Sequence, residues 1–253
     1  MASDELKRAL VCALAICALS AGVARGQGGP PMITDDPGTP GDRKWEINVA
    51  FAFEHRRNET SLDSPGIDLN YGVGESIQLT LQAGPVLLKR NGNGVAGGLG
   101  ATEAAVKWRF LDEEKSGVDA SMFPRIIFNI TQSSVRRGLA EDGTRFQIPF
   151  QAAKKFGHFH ADAELGPLAS TIGRSEWLYG IVTGLEVSKT TMLMAELHGT
   201  SRMNFTRAAL AVNVGLRQEF TDTRILIASL GHEIRDPDQS LALIGYLGVQ
   251  LLF

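Results

Sequence analysis

Apolar and polar residues alternate along most of the chain after residue 44. In the first such stretch, one set of side chains is apolar and the intervening set is polar or small. The apolar set is Trp45, Ile47, Val49, Phe51 and Phe53, and the other set is Glu46, Asn48, Ala50, Ala52 and Glu54. Successive side chains of a β-strand point to opposite faces. This period of two therefore predicts a strand with one face in an apolar medium and the other in a polar one.

The same alternation recurs to the last residue and predicts about 12 strands. Their predicted ranges are 44–56, 62–72, 76–88, 98–110, 118–130, 144–156, 159–166, 175–187, 191–200, 206–220, 224–234 and 240–253. The eleventh range alternates poorly, so its faces are not assigned. Most ranges reach about 10 residues, which a tilted strand needs to cross a bilayer. The predicted fold class is therefore all-β, a closed transmembrane, antiparallel, up-and-down β-barrel.

The links between the predicted strands alternate in length, apart from a longer link at 111–117. Short turns fall near 73–75, 157–158, 188–190 and 221–223, and longer links near 57–61, 88–96, 131–143, 167–174, 201–205 and 235–239. Outer-membrane barrels combine short periplasmic turns with long outer loops. Aromatic residues also collect near both ends of the strands, as in interfacial belts. A soluble periplasmic β protein, the alternative fold, would gather its aromatics in a core.

The N-terminal residues have the pattern of a secretory signal peptide. Lys7 and Arg8 precede an apolar run that is shorter than the roughly 20 residues of a membrane helix. Both cysteines, Cys12 and Cys17, fall in this run, so the rest of the sequence offers no disulfide or thiolate. A retained N-terminal helix is the alternative. The predicted division is a cleaved signal peptide at 1–26, a periplasmic tail at 27–43 and the barrel at 44–253; whether the tail enters the barrel as a plug is left open.

The C-terminal strand is similar to the terminal signal by which outer-membrane barrels are recognised for assembly. It runs from Tyr246 to a final Phe253, with apolar residues at alternate positions. The resemblance implies outer-membrane lipid, the barrel-assembly machinery and periplasmic chaperones as partners. The residues of this assembly signal are Tyr246, Val249, Leu251 and Phe253.

A second resemblance is to the family named "MetA-pathway of phenol degradation", which comprises outer-membrane transporters. The stretch Pro30–Pro37 followed by Trp45–Asn48 resembles the start of that family. Asp68–Val73 and Gly100–Phe110 resemble its second and fourth strands. The resemblance covers most of the mature chain and implies a barrel that moves small or apolar organic molecules. It brings no binding residues, and phenol itself is not implied.

The predicted inward face is rich in charged residues. Opposed charges would select solutes in a water-filled lumen, whereas a packed interior would pair them and block passage. About 8 strands leave room only for side chains and about 16 leave an aqueous channel, so both readings stay open for about 12. The predicted lumen-lining residues are Glu46, Asp68, Glu103, Lys107, Arg109, Arg125, Arg145, Asp162, Glu164, Glu186, Glu196 and Arg217.

Three further groups of residues could bind a metal or catalyse hydrolysis, but a structural role is predicted for each. His158, His160, Asp162 and Glu164 share one face as metal ligands would, yet solvated or salt-bridged side chains are predicted. Asp35 and Asp36 precede Pro37 and Gly38, which favours an Asx turn over calcium binding. An outer-wall lipid hydrolase would have to use His55, Asn58 and Ser61 in one hairpin loop, which holds a base poorly. No catalytic residue, metal or cofactor is therefore predicted.

The sequence thus leads to a functional hypothesis with two alternatives. The hypothesis is a passive outer-membrane channel or transporter for small solutes, with hydrophobic or aromatic ones suggested by the family resemblance. The loop at 131–143 would contribute to selectivity. The alternatives are a non-conducting structural or adhesion barrel and the lipid hydrolase. A nucleic-acid partner is not expected, because the net charge of −3 provides no basic surface.

Overall fold

The computed structural model describes residues 29–235 and 242–253. Within them the chain forms a closed antiparallel barrel of twelve strands, as the alternation predicts. Its strand segments are β1 Trp45–Arg56, β2 Glu59–Val73, β3 Ile77–Ala83, β4 Pro85–Arg90, β5 Val95–Leu99, β6 Thr102–Leu111, β7 Asp119–Met122, β8 Arg125–Phe128, β9 Arg145–Gln147, β10 Phe150–Phe156, β11 Phe159–Ser170, β12 Glu176–Ser188, β13 Thr191–Arg202, β14 Ala209–Thr221, β15 Arg224–Arg235 and β16 Leu243–Leu252. The predicted signal peptide, residues 1–26, lies outside the described residues.

Four successive barrel strands are each interrupted once, which is why twelve strands contain sixteen segments. The breaks fall between β3 and β4, β5 and β6, β7 and β8, and β9 and β10. Pro124 and Pro149 lie at the third and fourth breaks, and a proline offers no N–H for the strand ladder. At the first break, a Cβ on Gly84 would lie 2.7 Å from the Gly66 Cα. The missing N–H groups of the prolines and the close approach of two backbones at Gly84 therefore interrupt these barrel strands.

The barrel closes through pairing of its first and last strands. Val49 of β1 lies opposite Val249 of β16 on one side and opposite Ile67 of β2 on the other. Phe253 and Trp45 exchange two backbone hydrogen bonds of 3.0 Å at the same seam. Closure satisfies the backbone groups that a free edge would leave unpaired, which a lipid environment requires.

The two faces of the wall differ as a membrane barrel requires. On β3, Leu79 and Leu81 are 45% and 49% exposed, whereas Gln78 and Thr80 between them are 7% and 9% exposed. Apolar side chains thus face outward and polar ones face the lumen, which is the reverse of a soluble protein. Rings also pair at the strand ends: Trp45 with Tyr71 at 4.7 Å, and Trp177 with Phe205 at 6.2 Å.

The structure of β15 shows why apolar and polar residues alternate poorly along this strand. Ile225 and Ile227 on its inward face are almost fully buried and pack against Leu252 and the partly buried Tyr246. Apolar residues therefore occupy both faces of β15, which hides the period of two.

Several links differ from prediction. The expected longer link at 57–61 is wrong, because β2 begins at Glu59 and leaves only a two-residue turn. Short helices occupy the links at 111–117 and 131–143: α1 Glu113–Ser116, capped by Asp112, and α2 Gln132–Arg136. No helix in the described part of the chain has the length and apolar character to cross a membrane.

Candidate functional site: a lumen crossed by the N-terminal segment

Residues 29–40, here named the lumen segment, lie inside the barrel. The chain is held where it approaches β1 at the periplasmic end: Thr39 Oγ1 donates to the Glu75 carbonyl at 2.8 Å. The Gly74 N–H donates to Asp42 Oδ1 at 2.9 Å in the same turn. The tail expected in the periplasm is therefore intraluminal over this segment, because its backbone and side chains find partners on the inward face.

The lumen segment crosses the lumen from one side of the barrel to the other. Near its start, Ser229 Oγ on β15 donates to the Pro31 carbonyl at 2.8 Å. Further along, Glu196 on β13 accepts from the backbone N–H groups of Ile33 at 3.2 Å and Thr34 at 2.5 Å. The next N–H, that of Asp35, donates to Glu164 on β11 at 3.1 Å. Inward carboxylates thus satisfy a backbone that has no strand partner.

Asp35 connects the lumen segment to two cations of the wall. Its Oδ1 lies 3.1 Å from Lys107 Nζ on β6, and its Oδ2 lies 3.1 Å from Arg125 Nη2 on β8. Burial alone would raise the pKa of the Asp35 carboxyl, but Lys107 and Arg125 together hold that pKa below its ordinary value. The phenyl ring of Phe123 lies 4.7 Å from Lys107 Nζ and 4.2 Å from Arg125 Cζ, so both cations also rest on an aromatic face.

Apolar contact and two wall glycines complete the docking. Met32 packs with Val182 and Met194 in a buried cluster. A Cβ on Gly215 would lie 1.9 Å from Met32 Cε, and a Cβ on Gly180 would lie 1.9 Å from Thr34 Oγ1. Any larger residue at either glycine would occupy the space of the lumen segment, so the wall is shaped to receive it.

Three of the cavities formed by the described residues surround the lumen segment. A central cavity of about 190 Å³ borders Glu46, Asp68 and Tyr246. A cavity of about 260 Å³ lies toward the outer end and borders Met32, Ile33 and Ile244. The third cavity, named the periplasmic vestibule, has about 720 Å³ and borders Arg109, Asp119 and Asp162. The segment therefore divides the lumen without filling it.

The twelve residues predicted to line the lumen fall into groups by their position in the structure. Lys107, Arg125, Glu164 and Glu196 contact the lumen segment. Arg145 pairs with Glu141 at the outer end, at 2.9 Å. The remaining seven are distributed between the central cavity, which Glu46, Asp68, Glu103 and Arg217 border, and the periplasmic end, where Arg109, Asp162 and Glu186 lie.

The histidine and carboxylate row does not act as one group. The Glu186 carboxylate lies 2.8 Å from His160 Nε2 and 2.6 Å from Lys155 Nζ, and His158 Nδ1 lies 3.6 Å from it. Glu164 instead binds the lumen segment, and Asp162 faces the vestibule. This arrangement fits the salt-bridged interpretation of the row.

The loop between β8 and β9 rests on the inner wall near the outer end. Leu139 packs against Val86 and Leu88, which face the lumen from β4. Arg137 Nη1 donates to the Gly97 carbonyl at 2.5 Å. The predicted selectivity loop at 131–143 is therefore positioned over the lumen.

The assembly-signal residues lie on β16 and at its end. Val249 is exposed on the outward face, Leu251 lies opposite Ile47, and Phe253 pairs with Trp45. Tyr246 points inward and borders two cavities.

Sequence reasoning missed several residues of this site. Asp36 does form the predicted Asx-type bond to the Gly38 N–H, but the ion pairs of Asp35 were not foreseen. Arg56 and Glu233, which form a bidentate pair at 2.7 and 2.9 Å near the outer end, were also missed. Glu233 lies in β15, where the weak pattern concealed its face.

Comparisons with known proteins support the fold. No family model matches the chain, and no curated protein matches it, so the family resemblance stays a prediction. An outer-membrane channel from Pseudomonas putida F1 is 13% identical, with a TM-score of 0.62 over 90% of this chain and 100% of that one. The KdgM porin is 10% identical, with a TM-score of 0.56 over 81% and 99%. The autotransporter translocator domain of NalP from Neisseria meningitidis is 13% identical, with a TM-score of 0.54 over 99% and 96%. The chain has the fold of a bacterial outer-membrane β-barrel.

Proposed function

We propose that this protein is a passive outer-membrane channel for small solutes, with a lumen narrowed by its own residues 29–40. The observation that carries the proposal is the composition of the interior. Charged and polar side chains line it, and cavities of about 720 and 260 Å³ flank the lumen segment at its two ends. A purely structural barrel has no need of such volumes, because apolar side chains would fill it more favourably.

The solute class follows from the cavities and from the family resemblance. The cavity toward the outer end combines Met32, Ile33 and Ile244 with the polar Asn213 and Ser229. Such a mixed lining suits small hydrophobic or aromatic molecules that carry a polar group. Among the similar structures, one is described as a KdgM porin in complex with disordered oligogalacturonate. Small-molecule passage is therefore compatible with this fold.

The hydrolase alternative receives no support from the hairpin that would carry it. His55 Nδ1 contacts Thr60 Oγ1 at 2.8 Å on the outward face. Ser61 lies opposite Glu54 and so faces the lumen. Base and hydroxyl are thus on opposite sides of the wall, whereas nucleophilic catalysis needs them within hydrogen-bond reach.

The test is single-channel conductance of the refolded mature barrel in a planar bilayer, together with swelling of liposomes in neutral solutes of graded size. Discrete, ohmic steps and a size-dependent swelling rate are expected. A barrel that shows heat-modifiable migration on a gel, and is therefore folded, but passes neither ions nor solutes would leave the structural or adhesion role in place of the channel.

A further inference from the structure

Asp162 is a buried carboxylate that lacks a hydrogen-bond partner. Asp162 is 2% exposed, and neither of its side-chain oxygens has a hydrogen-bond partner among the described residues. The residues beside it in the wall are Ala153 on β10 and Val182 on β12, which have no side-chain donor. Along its own strand, His160 is bound to Glu186 and Glu164 is bound to Arg125. The neighbours of Asp162 therefore either have no side-chain donor or are already paired with another residue.

The cavity that Asp162 borders is the periplasmic vestibule. Among the described residues, seven carboxylate side chains and three basic ones border this cavity of about 720 Å³. Two of the bases have partners: Lys155 lies 2.6 Å from Glu186, and Arg109 lies 3.5 Å from Asp112. Asp36 from the lumen segment and Asp119 from β7 border the same space as Asp162. The vestibule thus presents excess negative charge around an unpaired carboxylate.

A buried carboxylate without a donor is unfavourable, and a cation in the vestibule would supply the missing partner. The size of the space argues for an organic cation over a bare metal ion. Within residues 29–235 and 242–253, no three metal-ligating side chains come close enough to hold a metal. A volume of about 720 Å³ instead falls in the range of small-molecule sites, roughly 300–1,000 Å³.

We propose that the periplasmic vestibule is a binding site for an organic cation bearing primary ammonium groups, with Asp162 as its buried anchor. One ammonium reaches the Asp162 carboxylate, and a second on the same molecule reaches Asp119 or Asp36. A linear polyamine has this chemistry. Binding needs only the folded barrel, so the proposal is independent of whether the lumen conducts.

Spermidine is the probe, and calorimetric titration of the refolded mature barrel in detergent at low salt is the measurement. Asp162→Asn keeps the side-chain shape and removes the charge. It should weaken spermidine binding by about tenfold or more, as expected when one charge-assisted contact is lost. Asp119→Asn tests the second contact. Asp222→Asn is the matched control, because Asp222 is an exposed carboxylate in a different periplasmic turn and does not border the vestibule. It should bind as the unaltered protein does.

Three results would overturn the proposal. The first is that spermidine does not bind the unaltered barrel saturably. The second is that Asp162→Asn binds spermidine as tightly as the unaltered protein does, which would mean that Asp162 interacts with water or a proton only. The third is that Mg²⁺ binds as tightly as spermidine and with the same dependence on Asp162, which would make the vestibule a metal site. Heat-modifiable migration of every variant confirms folding, and Asp162→Asn should fold because it removes an uncompensated buried charge.

Discussion

Replacing Asp35 by asparagine should release the lumen segment from the wall. The substitution preserves the shape of the side chain but removes the charge that lies 3.1 Å from both Lys107 Nζ and Arg125 Nη2. The Lys107 side chain is 3% exposed, so water offers it little compensation. The barrel itself should stay folded, because its strand ladder does not involve residue 35.

The free-energy cost of Asp35→Asn depends on the partners that Lys107 and Arg125 retain. Breaking a buried ion pair by removing one partner costs about 3–5 kcal/mol. Arg125 retains Glu164 at 3.3 Å and Glu103 at 4.0 Å, and Lys107 retains the Asp36 carbonyl at 2.6 Å. The lower end of the range, about 3 kcal/mol, therefore applies, and it corresponds to roughly a hundredfold shift in the docking equilibrium.

Thiol labelling measures this shift directly. The sequence after residue 17 contains no cysteine, so Met32→Cys provides a single reporter on the buried part of the lumen segment. When opening and closing are fast relative to labelling, the labelling rate follows the undocked fraction. Asp35→Asn in this background should label roughly a hundredfold faster than the Met32→Cys parent.

The matched control is Asp142→Asn, which alters an exposed carboxylate in the outer loop. It should label at the parental rate. An Asp35→Asn rate within about threefold of the parent, less than 1 kcal/mol, would refute the argument that these ion pairs hold the segment in place.

Three further predictions address the same interior. Gly180→Val should push the lumen segment off the wall and raise single-channel conductance, because a Cβ there would lie 1.9 Å from Thr34 Oγ1; Gly94→Val, at a position with no atom within 4 Å, should leave conductance unchanged. Because the pKa of Asp35 is lowered in the folded state, the contribution of its ion pairs to docking should be constant from neutral pH down to mildly acid pH. That contribution should be lost only as pH falls below about 4. The labelling rate of Met32→Cys, divided by that of a free thiol at the same pH, would show this across a pH series. Leu139→Ala should cost about 2–5 kcal/mol of loop docking against Val86 and Leu88 and make residues 131–143 sensitive to protease, while the denaturation midpoint of the barrel stays constant.

The wall of the barrel could be predicted from the sequence because its signal is local. Each strand carries its two environments as a period of two, so Leu79 and Leu81 reveal the outward face and Gln78 and Thr80 the inward face without knowledge of any neighbour. Strand number and closure followed from the same pattern. Where both faces hold apolar residues, as at Ile225 and Ile227, the pattern was lost and so was the assignment.

The contents of the lumen were decided only by the tertiary structure. A segment that crosses a barrel makes no ladder and has no periodic face, so residues 29–40 read as a turn-rich tail. Their contacts lie far away in the chain: Asp35 meets Lys107 at a separation of 72 residues, and Thr34 meets Glu196 at 162. Whether Asp162 acquires a partner likewise depends on what its neighbours across the wall offer, which only the closed barrel determines. Alternation along a strand is a property of the sequence, whereas pairing across a lumen exists only once the strands have closed around it.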